Sequence, residues 1–460
     1  MTNLSGVNLN NGSAVGAKRE GTDSPSQSLA LMPKYEDYVD SGVEWLGDLP
    51  SHWDAVKMKF LFKDTSMKNK PNETLLSVTQ SQGVVPREWV ENRMVMPSGN
   101  LESFKFIAKG DFAISLRSFE GGLEYCHHDG IISPAYTVLK TKKDYLLAGY
   151  YKYLFKSQTF ISELQTSIVG IREGKNISYE ELQYSLLPIP AEEEQTRIAN
   201  FLDKKTALID EAIAIKEQQI SLLKERKQII IQQAVTQGLD PNVPMKDSGV
   251  DWIGKVPAHW EVKKMKFIFD SIQTGTTPVT SEPKYFDGDV DWYNPKDLNA
   301  GYLDKSEKTI SELAIKHGQA KIFPGDSVLI VGIGATCGKT AYLKSSSAFN
   351  QQITGFSSRH ENAEFMYYLI SMYSSVMLKV ANYTTLPILN NEFFKHFLLP
   401  CPSKIEQDRI VGFLRIETLK FEKTIEIQLQ QIERLKEYKT TLINSAVTGK
   451  IKITPEMVEQ

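Results

Sequence analysis

Long hydrophobic runs, paired cysteines and an excess of basic residues are all missing from this sequence of 460 residues. No stretch approaches the ~20 uninterrupted apolar residues that a membrane-spanning helix needs, and the N-terminus lacks the apolar core of a signal peptide. The three cysteines, Cys126, Cys337 and Cys401, are far apart and form no CxxC pair, which argues against a disulfide framework and a zinc ribbon. We therefore expect a cytoplasmic, globular protein with reduced cysteines.

The charge balance does not indicate a nucleic-acid-binding protein that works alone. The formal net charge is -3, whereas a protein that neutralises DNA phosphates by itself usually carries a basic excess. If the chain contacts bases, partner subunits would have to supply most of the phosphate contacts.

Two short motifs resemble nucleotide and methyltransferase sites but fail in their details. The run GIGATCGKT has three residues between Gly334 and Gly338 and five between Gly332 and Gly338, whereas a P-loop needs four between its glycines. The flanking sequence indicates a hairpin instead. Residues 294–297, Asn-Pro-Lys-Asp, only partly match the Asn-Pro-Pro-aromatic motif of methyltransferases. We therefore predict that neither a nucleotide site nor a methyl-transfer centre is present.

A third candidate, a metal site, is also disfavoured. Cys126, His127, His128 and Asp129 are consecutive, and consecutive side chains of a strand alternate between its faces, so they cannot all converge on one ion. We predict no metal site.

An internal repeat decides the predicted architecture. The segment DSGVEWLGDLPSHWDAVKMKFLF from Asp40 recurs from Asp247 as DSGVDWIGKVPAHWEVKKMKFIF, 247 less 40 or 207 residues later. The segment LLPIPAEEEQTRIANFL from Leu186 recurs from Leu398 as LLPCPSKIEQDRIVGFL, 398 less 186 or 212 residues later. The sequence between these segments differs between the two copies. Each copy therefore places a different domain inside the same frame.

The charged segment at the end of each copy is predicted to be a long helix. Residues 192–236 contain no glycine or proline, and Gly238 and Pro241 follow them. In the second copy, Ser403 and Glu406 resemble a capping box, and Gly449 lies just past the end.

Apolar residues recur every seven positions in both helices, which predicts a coiled-coil interface. For one helix alone, ordinary core packing would explain such a stripe, but the same row of residue types occurs in both copies. Two helices with the same surface can pair around a two-fold axis, which makes them antiparallel. The predicted interface residues are Leu202, Ile209, Ile213, Ile220, Leu223 and Ile230 in the first helix, and Leu414, Phe421, Ile425, Ile432, Leu435 and Leu442 in the second.

These features predict an α+β fold of two domains joined by two long antiparallel coiled-coil helices with pseudo-two-fold symmetry. The variable parts, roughly residues 62–140 and 270–358, contain short β-like runs separated by Gly and Pro turns, and a Tyr- and Leu-rich helix follows each. The predicted boundaries are a flexible tail at 1–33, a first domain at 34–190, a helix at 191–237, a second domain at 238–402, a helix at 403–449 and a C-terminal tail at 450–460.

The order of the duplicated motifs resembles the specificity (S) subunit of type I restriction-modification enzymes. These motifs are the PxHW segment (from Pro50 and from Pro257), the LPxP-EQxxI-FL block (with Glu194 and with Glu406) and the AVT-G ending. The resemblance covers nearly the whole chain after the N-terminal tail. It implies a non-catalytic subunit with two target-recognition domains, each recognising half of a split, asymmetric double-stranded DNA site.

The resemblance also implies partners and cofactors. The partners are methyltransferase (M) subunits, which bind S-adenosylmethionine, and restriction (R) subunits, which are ATP-driven translocases. This chain itself is expected to bind no cofactor. Two other interpretations remain open, an enzyme with its own ATPase or methyltransferase centre, and a coiled-coil adaptor that binds proteins rather than DNA.

Candidate base-contacting residues follow from the chemistry of base edges, because Arg suits guanine and Asn or Gln suits adenine. Each such polar loop residue, taken alone, is also compatible with a merely solvated surface position. The candidates at turns and strand ends are Gln80, Gln82, Arg87, Arg117 and Ser118 in the first domain, and Thr276, Thr277, Tyr293, Asn294, Lys296 and Lys339 in the second.

Overall fold

A computed structural model describes residues 29, 31–90, 101–115, 118–169, 176–381 and 388–459. Residues 1–28 and 30 of the predicted N-terminal tail lie outside the described residues. The chain divides into two units, Met1–Glu217 with Leu429–Gln460, and Gln218–Gln428. The predicted boundaries set each long helix apart from the domains, whereas the unit boundary falls inside both helices.

The first domain, in unit 1, is built from short strands and helices. Its strands are β1 Tyr38–Asp40, β2 Asp48–Pro50, β3 Asp54–Lys57, β4 Phe62–Thr65, β5 Leu76–Thr79, β6 Gly83–Pro86, β7 Lys105–Ile107, β8 Phe112–Ile114, β9 Glu124–Tyr125, β10 Gly130–Ile132, β11 Thr137–Thr141, β12 Ile168–Val169, β13 Asn176–Ile177 and β14 Leu186–Ile189. Its helices are α1 Met58–Leu61, α2 Ser118–Gly121, α3 Ala148–Leu154, α4 Gln158–Thr166 and α5 Tyr179–Leu182.

A four-stranded sheet in the order β4-β11-β8-β9 organises this domain. Because side chains alternate along a strand, Phe112 and Leu139 pack on one face with Tyr151 of α3. Ala113 and Val138 pack on the other face. Strands β5, β8 and β11 lie within residues 62–140, where the sequence predicts short β-like runs.

The second domain, in unit 2, repeats this plan. Its strands are β15 Met245–Asp247, β16 Lys255–Pro257, β17 Glu261–Lys264, β18 Ser271–Thr274, β19 Phe286–Tyr293, β20 Tyr302–Leu303, β21 Thr309–Ile310, β22 Ser327–Val331, β23 Thr340–Leu343, β24 Ala348–Phe349, β25 Ile353–Ser357 and β26 Leu398–Cys401. Its helices are α7 Glu312–Lys316, α8 Ala363–Val380 and α9 Asn391–His396, which follow the first long helix, α6 Glu192–Gln237.

A five-stranded sheet in the order β18-β25-β22-β23-β20 lies at the centre of the second domain. Val328 and Ile330 of β22 pack with Phe365 of α8, whereas Leu329 and Val331 pack on the opposite face. Strands β22 and β23 are antiparallel neighbours, so the GIGATCGKT run lies in the predicted hairpin. Both domains therefore present one sheet face to a helix.

The long helices α6 and α10 (Lys404–Val447) begin and end within two residues of their predicted bounds. In unit 1, Lys439 Nζ lies 2.6 Å from Asp210 Oδ2 and Lys216 Nζ lies 2.5 Å from Gln431 Oε1. The partner's number falls as the other rises, so the helices are antiparallel there. In unit 2, Lys227 Nζ lies 2.7 Å from Glu422 Oε1. Lys227 is the repeat equivalent of Lys439, and Glu422 is the repeat equivalent of Asp210, because the members of each pair are 212 residues apart. The same interhelical ion pair therefore occurs in both units.

Burial matches the predicted coiled-coil interface. Each of the twelve interface residues predicted from the heptad pattern is buried or half-buried, whereas outward-facing residues such as Leu222 and Leu429 are 56% and 51% exposed. Within each unit, the stripe predicted from the heptad pattern is therefore the less exposed face of the helices.

The repeated His, Trp and Glu residues make the same contacts in both units. Trp53 Nε1 donates to Glu194 Oε2 at 2.9 Å, and His52 Nε2 lies 3.1 Å from the same oxygen. In unit 2, Trp260 Nε1 donates to Glu406 Oε1 at 3.0 Å, and His259 Nε2 lies 2.9 Å from Oε2. The repeat therefore encodes a joint between the opening segment of each domain and the start of the helix that follows it.

The adjacent glutamine extends each joint to the domain's helical face. Gln195 Oε1 accepts from Leu147 N at 2.9 Å, just before α3. Gln407 Oε1 accepts from Asn362 N at 2.8 Å, just before α8. Each Glu-Gln dipeptide thus fixes the start of a long helix to two segments of its own domain.

The C-terminal residues correct one prediction. Residues 450–460 were expected to form a tail, but Ile451 and Ile453 are buried in the core of unit 1 and Lys452 N donates to Pro33 O at 2.7 Å. A short helix, α11 Pro455–Glu459, follows. None of the helices among the described residues is long and apolar enough to cross a membrane.

Candidate functional site

The predicted residues of the first domain fall in separate places. Gln80 and Gln82 are exposed in the turn between β5 and β6, where Thr79 Oγ1 accepts from Gln82 N at 3.1 Å. Arg87 follows β6 and its backbone N donates to Leu75 O at 3.0 Å, at the opposite end of this hairpin. The structure therefore brings the two glutamines together and leaves Arg87 apart from them.

Burial removes Ser118 from the base-contacting candidates, and Arg117 lies outside the described residues. The Ser118 side chain is 0% exposed, and its Oγ accepts from Ser115 N at 2.8 Å. This serine closes the turn after β8 because its hydroxyl satisfies a backbone donor there. Its side chain supports the fold and cannot reach a ligand in this conformation.

A buried ion pair holds the Gln80 turn, and the sequence pattern did not identify it. Lys156 Nζ lies 2.6 Å from Glu124 Oε1 and also donates to Gly121 O at 2.9 Å and Gln80 O at 3.1 Å. Glu124 is fully buried. Burial raises the pKa of Glu124, and the nearby Lys156 ammonium opposes that rise. One lysine thus positions the turn that carries Gln80 and Gln82.

Replacing Lys156 by methionine is expected to destabilise unit 1 by about 3 kcal/mol, because it leaves a buried carboxylate without its counter-charge. Without the lysine, the pKa of Glu124 rises further above its unfolded value, so the folded variant binds more protons than the unfolded one. Stability then increases as the pH falls. Thermal unfolding at pH 5 and pH 8 should therefore show a smaller deficit at pH 5.

Lys152→Met provides the matched control. Lys152 lies 2.6 Å from Asp203 Oδ1, but the two side chains are 25% and 49% exposed, and such pairs contribute only about 0–1 kcal/mol. A second variant, Lys156→Met with Glu124→Gln, should recover much of the lost stability. Equal deficits for Lys156→Met and Lys152→Met would contradict the assigned role of the buried pair.

In the second domain, two loops that carry predicted residues meet a third loop at one end of the sheets. Thr276 N, after β18, donates to Phe349 O at 2.9 Å, and Asn350 N donates to Tyr293 O at 3.0 Å at the end of β19. Gly275 permits this approach, because a Cβ there would lie 2.1 Å from Phe349 O. The structure therefore brings Thr276, Thr277 and Asn294 into one loop cluster.

Two polar atoms of this loop cluster have no partner. Thr276 Oγ1 and Asn294 Nδ2 are buried and make no hydrogen bond to the described residues. Unsatisfied buried polar atoms are rare in folded proteins and often occur at functional positions. By contrast, the Tyr293 side chain is only 1% exposed, so burial removes it from the base-contacting candidates.

The two predicted lysines of this domain are exposed and already paired. Lys296 forms an ion pair with Glu307, and Lys339 Nζ donates to Asn299 Oδ1 at 2.6 Å. Both pairs lie at the surface and are open to exchange with other charges. Their contact with a ligand stays a prediction.

A polar groove beside this loop cluster was missed by the sequence analysis. The groove has a volume of about 390 Å³, and Gly332, Leu389 and Lys395 contribute to its walls. We call it the amide groove, after the residues that supply its hydrogen-bonding groups: Thr274, Gln351, Gln352, Thr354, Asn390, Asn391 and Glu392. These seven residues come from three separated segments, Gly332 adds a fourth, and no local motif marks them.

The amide groove has a fixed shape because its loops are bonded to each other. Leu389 N donates to Gly332 O at 2.8 Å, and Gly332 N donates to Gln352 O at 2.7 Å. A Cβ at Gly332 would lie 2.6 Å from Leu389 O. The polar side chains are therefore held on a rigid support, as specific recognition requires.

Within the described parts of the chain, no group of three or more His, Cys, Asp or Glu residues is placed to hold a metal ion. The Cys126 side chain is fully buried and its thiol contacts His128 O at 3.0 Å. The side chains of this segment therefore do not converge on a common point.

Comparison with known proteins connects this architecture to a family. Residues 257–437 match the family model for the type I restriction modification DNA specificity domain. The MjaIX specificity subunit of a type I restriction enzyme from Methanocaldococcus jannaschii is 32% identical over 168 residues, 35% of this chain and 38% of that protein. The MjaVIII specificity subunit from the same organism is 25% identical over 337 residues, 70% of this chain and 75% of that protein.

Over residues 257–437, this chain is therefore similar to the DNA specificity domain of type I restriction-modification enzymes. A solved structure from a study of complex assembly and conformational transition of the type I R-M system shares its fold, with a TM-score of 0.66 and 14% identity, covering 87% of this chain and 98% of that one. The matched stretch spans less than two thirds of the first relative's length. The matched residues 257–437 include the loop cluster, the amide groove and much of the second long helix.

Proposed function

We propose that this chain is the DNA-recognition subunit of a type I restriction-modification complex, with each domain recognising one half of a split, asymmetric site. The observation that carries the proposal is the repeated joint, in which the same Trp-Glu and Gln contacts hold two domains with different loops. Two independent recognition domains require different loops for different DNA sequences, held by the same joint and long helix.

The surfaces of the two domains support different specificities. The first domain presents two glutamines on a turn held by Lys156, whereas the second presents a groove lined by four amide side chains. Asn and Gln are residue types that hydrogen-bond base edges. Two unlike surfaces would recognise an asymmetric site, whereas two equal ones would recognise a palindrome.

We further propose that the chain itself is non-catalytic and holds methyltransferase and restriction subunits through its frame. In this proposal S-adenosylmethionine and ATP bind to those partners. The net charge of -3 supports a division of labour in which the partners neutralise most phosphates. The chain then supplies the base contacts.

Genome-wide sequencing of adenine methylation, with and without the gene, tests the proposal. Deletion should remove methylation at one split motif, and restoring the gene should restore it. The purified chain alone should transfer no methyl groups and hydrolyse no ATP, and it should bind its site tightly only with the methyltransferase partner. An unchanged methylome, or turnover by the pure chain that is abolished by Lys339→Ala, would refute the proposal.

A further inference from the structure

The amide groove of the second domain offers hydrogen-bond donors, because its side-chain oxygens are already engaged. Asn390 Oδ1 accepts from Phe393 N at 2.8 Å. Asn391 Oδ1 accepts from Thr274 Oγ1 at 3.0 Å and from Thr354 Oγ1 at 3.3 Å. The backbone donor Phe393 N fixes which end of the Asn390 amide is the acceptor, and in this structure the oxygen of Asn391 accepts from both threonine hydroxyls.

The side-chain oxygens of the two glutamines in the groove are also engaged in hydrogen bonds. Gln351 Oε1 accepts from the Thr277 hydroxyl. Gln352 Oε1 accepts from Asn350 Nδ2 at 3.3 Å, and Gln352 N donates to Asn350 Oδ1 at 3.0 Å, which fixes the orientation of that asparagine. All four amide oxygens are thus held by the domain itself.

The amide nitrogens are the groups left for a ligand. Within the described residues, the NH₂ groups of Asn390, Asn391 and Gln351 make no hydrogen bond, whereas Gln352 Nε2 contacts Ile333 O at 3.4 Å. An amide whose oxygen already accepts a hydrogen bond is less suited to the two-sided contact with adenine, which needs an acceptor for N6 and a donor for N7. It can still donate to the two acceptors of guanine, N7 and O6.

One charged acceptor completes the lining. Glu392 is the only carboxylate among the described residues that line the groove. Its Oε1 lies 2.9 Å from His396 Nε2, and its Oε2 lies 3.4 Å from Lys395 Nζ. These two neighbours hold the pKa of Glu392 below its ordinary value, so the carboxylate stays ionised. An ionised carboxylate repels phosphate but accepts a hydrogen bond from the N4 amino group of cytosine.

We propose that the amide groove binds the major-groove edge of a G·C base pair. In this arrangement the NH₂ groups of Asn391, Asn390 and Gln351 donate to guanine N7 and O6, and Glu392 accepts from cytosine N4. The inference rests on the proposed function and specifies one base pair in the half-site of the second domain. The same donors would also suit phosphate oxygens, and the experiment separates these two acceptors.

Asn391→Asp and Gln351→Glu test the proposal, because each replaces an NH₂ donor by an acceptor of the same shape. The full chain is expressed with its methyltransferase partner, and the methylated motif and the affinity for matched oligonucleotides are measured. Each variant should reduce the preference for G·C at one position by roughly 5- to 100-fold and leave the other half-site unchanged. Gln351 is exposed, so Gln351→Glu should retain the fold.

Gln273→Glu is the matched control, because it adds the same negative charge next to the groove. Gln273 is exposed and adjacent to Thr274 on β18, so its side chain lies on the opposite face of the strand. This variant should leave the preference unchanged. Replacing guanine by 7-deazaguanine, which lacks the N7 acceptor, should weaken binding of the wild-type complex at that position and have little effect on the Asn391→Asp complex.

The outcomes separate this inference from the proposed function. If the wild-type complex methylates no split motif, the proposed function fails. If a split motif exists but its second-domain half has no G·C pair, or both groove variants keep the wild-type preference, the groove assignment is overturned while the proposed function stands. A uniform loss of affinity for all sequences, with a shallower salt dependence, would assign the groove to phosphate and also overturn the proposal.

Discussion

Exchange of residues 265–397 for the corresponding segment of a related specificity subunit is expected to replace one half of the methylated motif completely and leave the other half unchanged. The cut points follow from the structure. Lys264 and Leu398 are paired across the ladder of β17 and β26, and Met265 N donates to Phe397 O at 2.9 Å. Both junctions therefore lie side by side at the end of the β17–β26 ladder, outside the amide groove and the five-stranded sheet.

A narrower exchange of residues 271–357 provides the control. Its ends, Ser271 and Ser357, are also paired, so the graft should fold equally well. It leaves Asn390, Asn391 and Glu392 of the host in place, because these follow α8. We therefore expect the narrow graft to retain the host's base preference at one or more positions of that half-site. A complete change of specificity by the narrow graft, or a change in both halves by either graft, would contradict the assignment of the groove and of the two domains.

The opening segment of each domain and the long helix after it could be predicted from the sequence, because both occur twice in the chain. The heptad rows around Ile220 and Ile432 predicted the buried faces of both long helices, since helix geometry is set by local spacing. The joint residues, such as Trp260 and Glu406, were recognisable as repeated motifs, but their mutual hydrogen bond became visible only in the fold. A sequence repeat identifies equivalent residues, but the contacts between these residues are seen only in the three-dimensional structure.

The recognition surface was predicted less well because it is formed by residues from distant parts of the sequence that come together only in the tertiary structure. Turn position and residue type placed Ser118 and Tyr293 among the candidates, although their side chains are buried. The same criteria passed over Asn391, which follows a long helix and joins the groove only because the loop before it bonds to Gly332. Hydrogen bonds that determine which end of an amide faces a ligand have no sequence pattern at all.

Insertion of seven residues into both long helices, after Glu217 and after Gln428, is expected to lengthen the unspecified spacer of the motif while keeping both half-sequences. These points lie at the unit boundary, so the contacts within each unit are retained. Seven residues turn a helix by 700°, within about 20° of two full turns, and add roughly 10 Å to its length. The coiled-coil stripe therefore stays in register, and the spacer should grow by about 3 base pairs at ~3.4 Å each.

Insertion of two residues at the same points should have the opposite result. It turns the following half of each helix by about 200° relative to the preceding half, so the buried stripe is interrupted at the insertion point and the two halves of a continuous helix cannot keep the contacts of both units at once. Thermal unfolding should then show loss of the folded chain, and methylation should be absent at every motif. A seven-residue variant that folds and methylates with the original spacer would show that the helices do not set the distance between half-sites, because the added length would have changed nothing that the complex recognises.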